Sequence, residues 1–227
     1  MIIQENEIHV YRSSLTTASE HLKESESVLS HDELQKANKY KFEKDKFHYI
    51  SGRALLRSLL GKYLNRSPGK IIFSYSEKGK PFINESNIKF NLAHSGGKVV
   101  FAFTNNTDVG IDIEFMRELP DALQIAKRFF SEKEVDEFSE IREVDIRTAF
   151  FNCWTRKEAF IKALGEGLSY PLKDFSVTLK PGDKPEILWI KDKAEEAEKW
   201  RIFNIDTEDN YVSSLAVKAE DMKVVYF

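Results

Sequence analysis

The chain has 227 residues and a formal net charge of −3, with 41% hydrophobic and 31% charged residues. That is enough apolar material for a real core, and the charge does not point to nucleic acid or an anionic membrane surface, so neither is an expected partner. The single cysteine, Cys153, allows no internal disulfide. No apolar run reaches the ~18 residues of a membrane span, and MIIQENEIHVYR lacks the basic-then-apolar pattern of a secretion signal, so the cytoplasm is the expected compartment.

In chain order, residues 2–12 alternate weakly and predict a first strand, and residues 16–30 predict a helix. Lys36, Lys39, Lys41, Lys44 and Lys46 cluster in the following stretch. Residues 47–64 predict a strong helix with Arg53 and Arg57 among its apolar positions. Ser67-Pro68-Gly69 and Glu77 to Pro81 are turns flanking a strand at 71–75. Residues 88–92 predict a strand running into Ala93-His94-Ser95-Gly96-Gly97. Residues 99–103 and 109–113 predict a hairpin about Asn105–Asp108. Residues 122–140 read as helical, with Ser131 and Glu134 spaced as a capping box. Residues 151–168 form the organising stretch, a helix with Phe151, Trp154, Ile161 and Leu164 at helical spacing and glycines at its end. Strands are expected at 175–179, 187–190, 200–205 and 212–217, with a solvated loop at 191–199.

A duplication is suggested by spacing. From Gly61 to Gly165, and from Ile71 to Phe175, the interval is 104 residues. The expectation is an α+β fold of two similar α/β halves, residues 1–105 and 106–227, with a ligand site at their interface.

Two stretches carry the chemistry. In Val109-Gly110-Ile111-Asp112-Ile113-Glu114, strand alternation turns Asp112 and Glu114 to one face, about 7 Å apart. Two carboxylates there repel, and Mg²⁺ is the hard cation that would relieve them; the alternative is an edge strand with one wet face. On the organising helix, Glu158 and Lys162 are four apart and share a face. They are either an ordinary stabilising pair worth roughly 0.2–0.5 kcal/mol or a third oxygen ligand and a phosphate-binding cation.

Three motifs in this order resemble one family: Gly79-Lys80-Pro81 with Phe90-Asn91-Leu92-Ala93-His94-Ser95, then Val109 to Glu114, then Trp154-x-x-Lys157-Glu158-Ala159-x-x-Lys162-x-x-Gly165-x-Gly167-Leu168. From about Lys36 to Leu179 the chain resembles the surfactin-synthetase-activating type of 4′-phosphopantetheinyl transferase. The resemblance implies transfer of the phosphopantetheine arm of coenzyme A to a serine of an apo acyl or peptidyl carrier protein. It implies Mg²⁺ held by Asp112, Glu114 and Glu158, with Glu158, Lys162 and Asp112 as the catalytic set. It further implies contacts to coenzyme A from Lys36 and His94 at the 3′-phosphate, from Lys80 and Pro81 at the adenosine end, and from Arg53, Asp112 and Lys162 at phosphates. Ala93 stands where many members have Ser. A monomer is expected. An Mg²⁺-dependent pyrophosphate hydrolase and a catalytically silent coenzyme A or carrier-binding module are the alternatives.

Overall fold

The structure, a computed structural model, describes residues 1–15 and 19–227, and for residues 19–21, 168 and 194 the backbone alone. In chain order the elements are β1 (Glu7–Ser14), α1 (Ser19–Ser27), α2 (His31–Ala37), α3 (Glu43–Leu64), β2 (Ser74–Tyr75), β3 (Pro81–Phe82), β4 (Ile88–Ser95), β5 (Lys98–Asn105) and β6 (Val109–Phe115). They continue as α4 (Ala122–Phe129), α5 (Glu132–Ser139), α6 (Ile146–Leu164), β7 (Phe175–Val177), β8 (Ile187–Ile190), α7 (Ala194–Ala197), β9 (Trp200–Asn204), β10 (Tyr211–Lys218) and β11 (Lys223–Tyr226). No helix among the described residues is long and apolar enough to cross a membrane.

Two sheets face each other, and a long helix covers the outside of each. The first sheet runs β11-β1-β5-β4 and the second β6-β10-β9. Strand alternation explains the layering. In β5, Val99, Phe101 and Phe103 pack with Leu56 and Leu60 of α3, while Val100 and Ala102 point inward to meet Ile111, Ile113 and Leu215 of the second sheet. On the far side Phe160 and Ile161 of α6 join Phe175, Val177 and Ala216.

The element order repeats. The series β1, α3, β2–β3, β4, β5 reappears as β6, α6, β7–β8, β9, β10, and the antiparallel ladder β1-β5-β4 reappears as β6-β10-β9. Each series also contains the same internal lock. In the first, the Ser30–Glu33 capping box opens α2, and Glu33 is buried against Arg53 and Arg57 of α3. In the second, the Ser131–Glu134 box opens α5, and Glu134 is buried 2.8 Å from Lys157 of α6. Arg57 donates to the carbonyls of Pro68 and Ile71; Lys157 donates to those of Leu172 and Phe175, so the two pairs of accepting carbonyls are 104 residues apart and the two donors 100.

Several expectations are corrected. Residues 99–103 and 109–113 form no hairpin: β5 lies between β1 and β4, and β6 pairs with β10. Local alternation cannot say which strand is the neighbour. The span 122–140 is two helices, because the capping box at Ser131 starts α5 rather than decorating one long helix. The strand expected at 71–75 is reduced to Ser74–Tyr75. The organising helix begins earlier, at Ile146, and ends at Gly165, whose φ of 76° closes it in the left-handed region. The helix expected at 16–30 is present as α1, with residues 16–18 outside those described.

Candidate active site at the seam of the two sheets

The site is assembled from β6 and α6, with β4 at its border. Asp112 and Glu114 lie on the face of β6 opposite Ile111 and Ile113, which are buried between the sheets. That face is not wet. β6 is the edge of its sheet, but α6 covers it closely enough to bury Asp112 to 5% exposure. The approach is possible because Gly110 carries no side chain. A Cβ there would lie 2.0 Å from the Ala159 carbonyl oxygen and 2.4 Å from the Ala163 nitrogen.

Across this contact Lys162 of α6 donates to Asp112 Oδ1 at 2.6 Å. Asp112 Oδ2 is buried without a hydrogen-bond partner, and so is Glu158 Oε1. Desolvation pushes Asp112 from 3.8 up to about 7, with Glu114 and Glu158 adding to the rise and Lys162 opposing it. Glu158 is raised too, first by burial, then by Glu114, against the pull of Lys162. Glu114 is half-buried, and its Oε2 accepts a 2.8 Å hydrogen bond from Ser95 Oγ of β4. Asp112, Glu114, Glu158 and Lys162 therefore share one electrostatic neighbourhood. No three His, Cys, Asp or Glu side chains among the described residues are already gathered as a metal-holding group.

The other expected residues lie around this centre or apart from it. His94 is exposed on β4; its ring is held below the usual imidazole value first by desolvation, then by the charges of His48 and Lys162. Ala93, beside it, is buried among the apolar residues between the sheets. Lys80 straddles the seam, donating to Val109 O at 3.3 Å and Ala163 O at 3.1 Å; burial lowers its pKa. Lys80 and Pro81 line a cavity of about 220 Å³ shared with Phe90, Asp108 and Leu164. Lys36 is exposed on α2, its ammonium 5.5 Å above the Tyr49 ring. Arg53 does not join the cluster: it is buried, donating to Glu33 Oε1 at 2.7 Å and to Tyr75 at 3.1 Å.

Composition did not single out Asn91 or the roles of Ser95, Gly110 and Tyr211. Asn91 Oδ1 accepts from Ile111 N at 2.9 Å, Ser95 Oγ accepts from Phe115 N at 3.1 Å, and Tyr211 donates to Gly96 O at 2.8 Å. The spacing of 91 and 95 against 111 and 115 was a readable signal. Both pairs are four apart on strands, so each pair shares a face.

Buried, unpaired carboxylate oxygens beside a lysine, at the seam of two sheets, make this cluster the candidate functional site. Comparison with known proteins gives the family. The model of the 4′-phosphopantetheinyl transferase superfamily matches residues 108–216, and that of the 4′-phosphopantetheinyl transferase N-terminal region matches residues 15–106. The 4′-phosphopantetheinyl transferase HetI of Nostoc sp. is 33% identical over 216 residues, covering 93% of this chain and 88% of its own. The 4′-phosphopantetheinyl transferase Sfp of Bacillus subtilis is 36% identical over 154 residues, 67% of each chain. The chain belongs to the 4′-phosphopantetheinyl transferase family and is an enzyme of that class.

Proposed function

We propose that this enzyme moves the 4′-phosphopantetheine group of coenzyme A onto a serine hydroxyl of an apo carrier protein, releasing adenosine 3′,5′-bisphosphate, in an Mg²⁺-dependent reaction. The observation that carries the metal reading is the pair of buried, unpartnered oxygens, Asp112 Oδ2 and Glu158 Oε1. A buried carboxylate oxygen without a donor is costly to keep, and an all-oxygen donor set suits Mg²⁺. Asp112, Glu114 and Glu158 would hold the ion. When bound, it supplies positive charge to the pyrophosphate of coenzyme A.

The remaining work falls to the chain's own groups. Lys162, already 2.6 Å from Asp112 Oδ1, is placed to steady the charge that gathers on the departing phosphate. Glu158 stands in the same cluster, and its carboxylate can accept a proton. It is the candidate to take the serine proton as the serine oxygen bonds to the β-phosphorus and the bond to the departing phosphate breaks. His94 and Lys36 are assigned to the 3′-phosphate, and Lys80 and Pro81 to the adenosine end beside their cavity. Arg53 is assigned to holding α2 through Glu33 rather than to a phosphate.

Residues 1–105 and 106–227 are read as two halves with the substrate between them. A monomer suffices, because one chain supplies every group named. The lone buried Cys153 suits a reducing compartment, the cytoplasm.

The test is the intact mass of an apo carrier protein after incubation with the enzyme, coenzyme A and Mg²⁺. A gain of one phosphopantetheine that a chelator abolishes is expected. Phosphopantetheine released free, with the carrier unchanged, would instead establish a pyrophosphate hydrolase. Coenzyme A binding without either product would establish a silent binding module.

A further inference from the structure

Strands β4 and β6 belong to different sheets, and each is the edge of its own. An edge strand leaves a row of backbone N–H groups without ladder partners. Here side chains of β4 supply the partners. Asn91 Oδ1 accepts from Ile111 N, and Ser95 Oγ accepts from Phe115 N. Four residues separate the acceptors and four the donors, so the two edges are stitched in one direction at two points.

The second stitch does more than join edges. The Ser95 hydroxyl accepts from Phe115 N and donates its own proton to Glu114 Oε2 at 2.8 Å, which fixes both the hydroxyl rotor and one carboxylate oxygen. Ser95 is itself held from behind. The next residue, Gly96, has φ of 56°, and a Cβ there would lie 2.6 Å from the Tyr211 hydroxyl and 3.0 Å from Phe115 Cβ. Tyr211 donates to the Gly96 carbonyl and packs edge-on against Phe115, with centroids 5.2 Å apart.

Resting on the metal reading above, we infer that Ser95 is a positioning residue. It orients the Glu114 carboxylate toward the cation and ties that orientation to β4, the strand that carries His94. Glu114 is a long side chain at a half-exposed position and would otherwise sample several rotamers. A donor that holds one carboxylate oxygen leaves the other aimed. Loss of such an outer partner typically weakens metal affinity by about 10–100-fold. The first sheet thus takes part in the metal centre without contributing a ligand.

The test is Mn²⁺ binding to the full chain with coenzyme A present, followed by electron paramagnetic resonance, for wild type, Ser95→Ala and Ser95→Thr. The alanine variant should bind Mn²⁺ about tenfold more weakly. The threonine variant, which keeps the hydroxyl, should return to near wild type. Discrimination between coenzyme A and its 3′-dephospho analogue, which reports on the His94 side, should be unchanged in both. Undiminished Mn²⁺ affinity in Ser95→Ala, even with lowered thermal stability, overturns the inference and leaves Ser95 a tether between sheets. Equal weakening in Ser95→Ala and Ser95→Thr overturns it as well, because the oxygen is then not responsible. A wild-type chain that binds no Mn²⁺ overturns the metal reading itself, a failure distinct from the other two.

Discussion

Gly110→Ala tests whether the site depends on how closely β6 lies on α6. The added Cβ would meet Ala159 O at 2.0 Å, Ala163 N at 2.4 Å and Lys162 C at 2.9 Å. Ordinary carbon contacts begin near ~3.5 Å, so strand and helix must separate by more than ~1 Å. All three clashing atoms are helix backbone, so no side chain can swing aside. Overpacking of this kind costs about 1–3 kcal/mol, which in a chain of this size lowers Tm by roughly 2–12 °C. The catalytic loss should be larger. Asp112 lies two residues along β6, and Lys162 reaches it from the displaced turn of α6. A misplacement of ~1 Å can cost ~10²-fold in rate. The assay is kcat/KM for carrier modification, beside calorimetric Tm. Leu60→Ala serves as control: it empties the core under α3 at about 2–5 kcal/mol without touching β6, and its folded fraction should turn over normally. Wild-type kcat/KM in Gly110→Ala, or an equal loss in Leu60→Ala, would refute the argument.

Three further outcomes follow from the geometry. Asp112 is raised from 3.8 to about 7 by burial, so its contribution to stability is full below about pH 4 and is lost as pH rises through about 7. Asp112→Asn, in chelator, should therefore gain stability over wild type by on the order of 4 kcal/mol between about pH 4 and pH 8; urea unfolding that shows no widening gap refutes the burial account. Lys157→Met should cost about 3–5 kcal/mol because it strands the buried charge of Glu134, and adding Glu134→Gln should recover part of the loss; a double variant as unstable as the sum of the singles would show that the two charges are uncoupled. His94→Ala should raise KM for coenzyme A while leaving KM for the 3′-dephospho analogue unchanged, and an equal rise for both substrates would remove the 3′-phosphate assignment.

Short-range signals were legible in the chain because their physics is local. Gly165 after an apolar helical run marks the end of α6, and the alternation in Val109–Glu114 correctly turns Asp112 away from the inter-sheet core. The spacing of Glu158 and Lys162 places both beside Asp112, and the 104-residue interval anticipates the repeated element order. What depends on distant partners was not legible. The hydroxyl of Ser213 reaches the Asp112 carbonyl across 101 residues of chain, and nothing in either strand names the other. The same holds for β11, which pairs parallel with β1 and which no alternation pattern announced. Arg53 was legible as a cation but not as the partner of Glu33, because a buried ion pair and a phosphate ligand ask for the same residue type.

A molecule built twice from one plan could carry the same chemistry twice, and here the two series differ. The face of β1 that turns to α3, as Asp112 and Glu114 turn to α6, carries His9 and Tyr11, both hydrogen-bonded to Tyr63 of α3. Where the second series sets carboxylates between strand and helix, the first sets a cluster of rings. The pseudosymmetry is retained in the scaffold and not in the chemistry set between strand and helix. On the proposed function, titration with coenzyme A should saturate at a single equivalent.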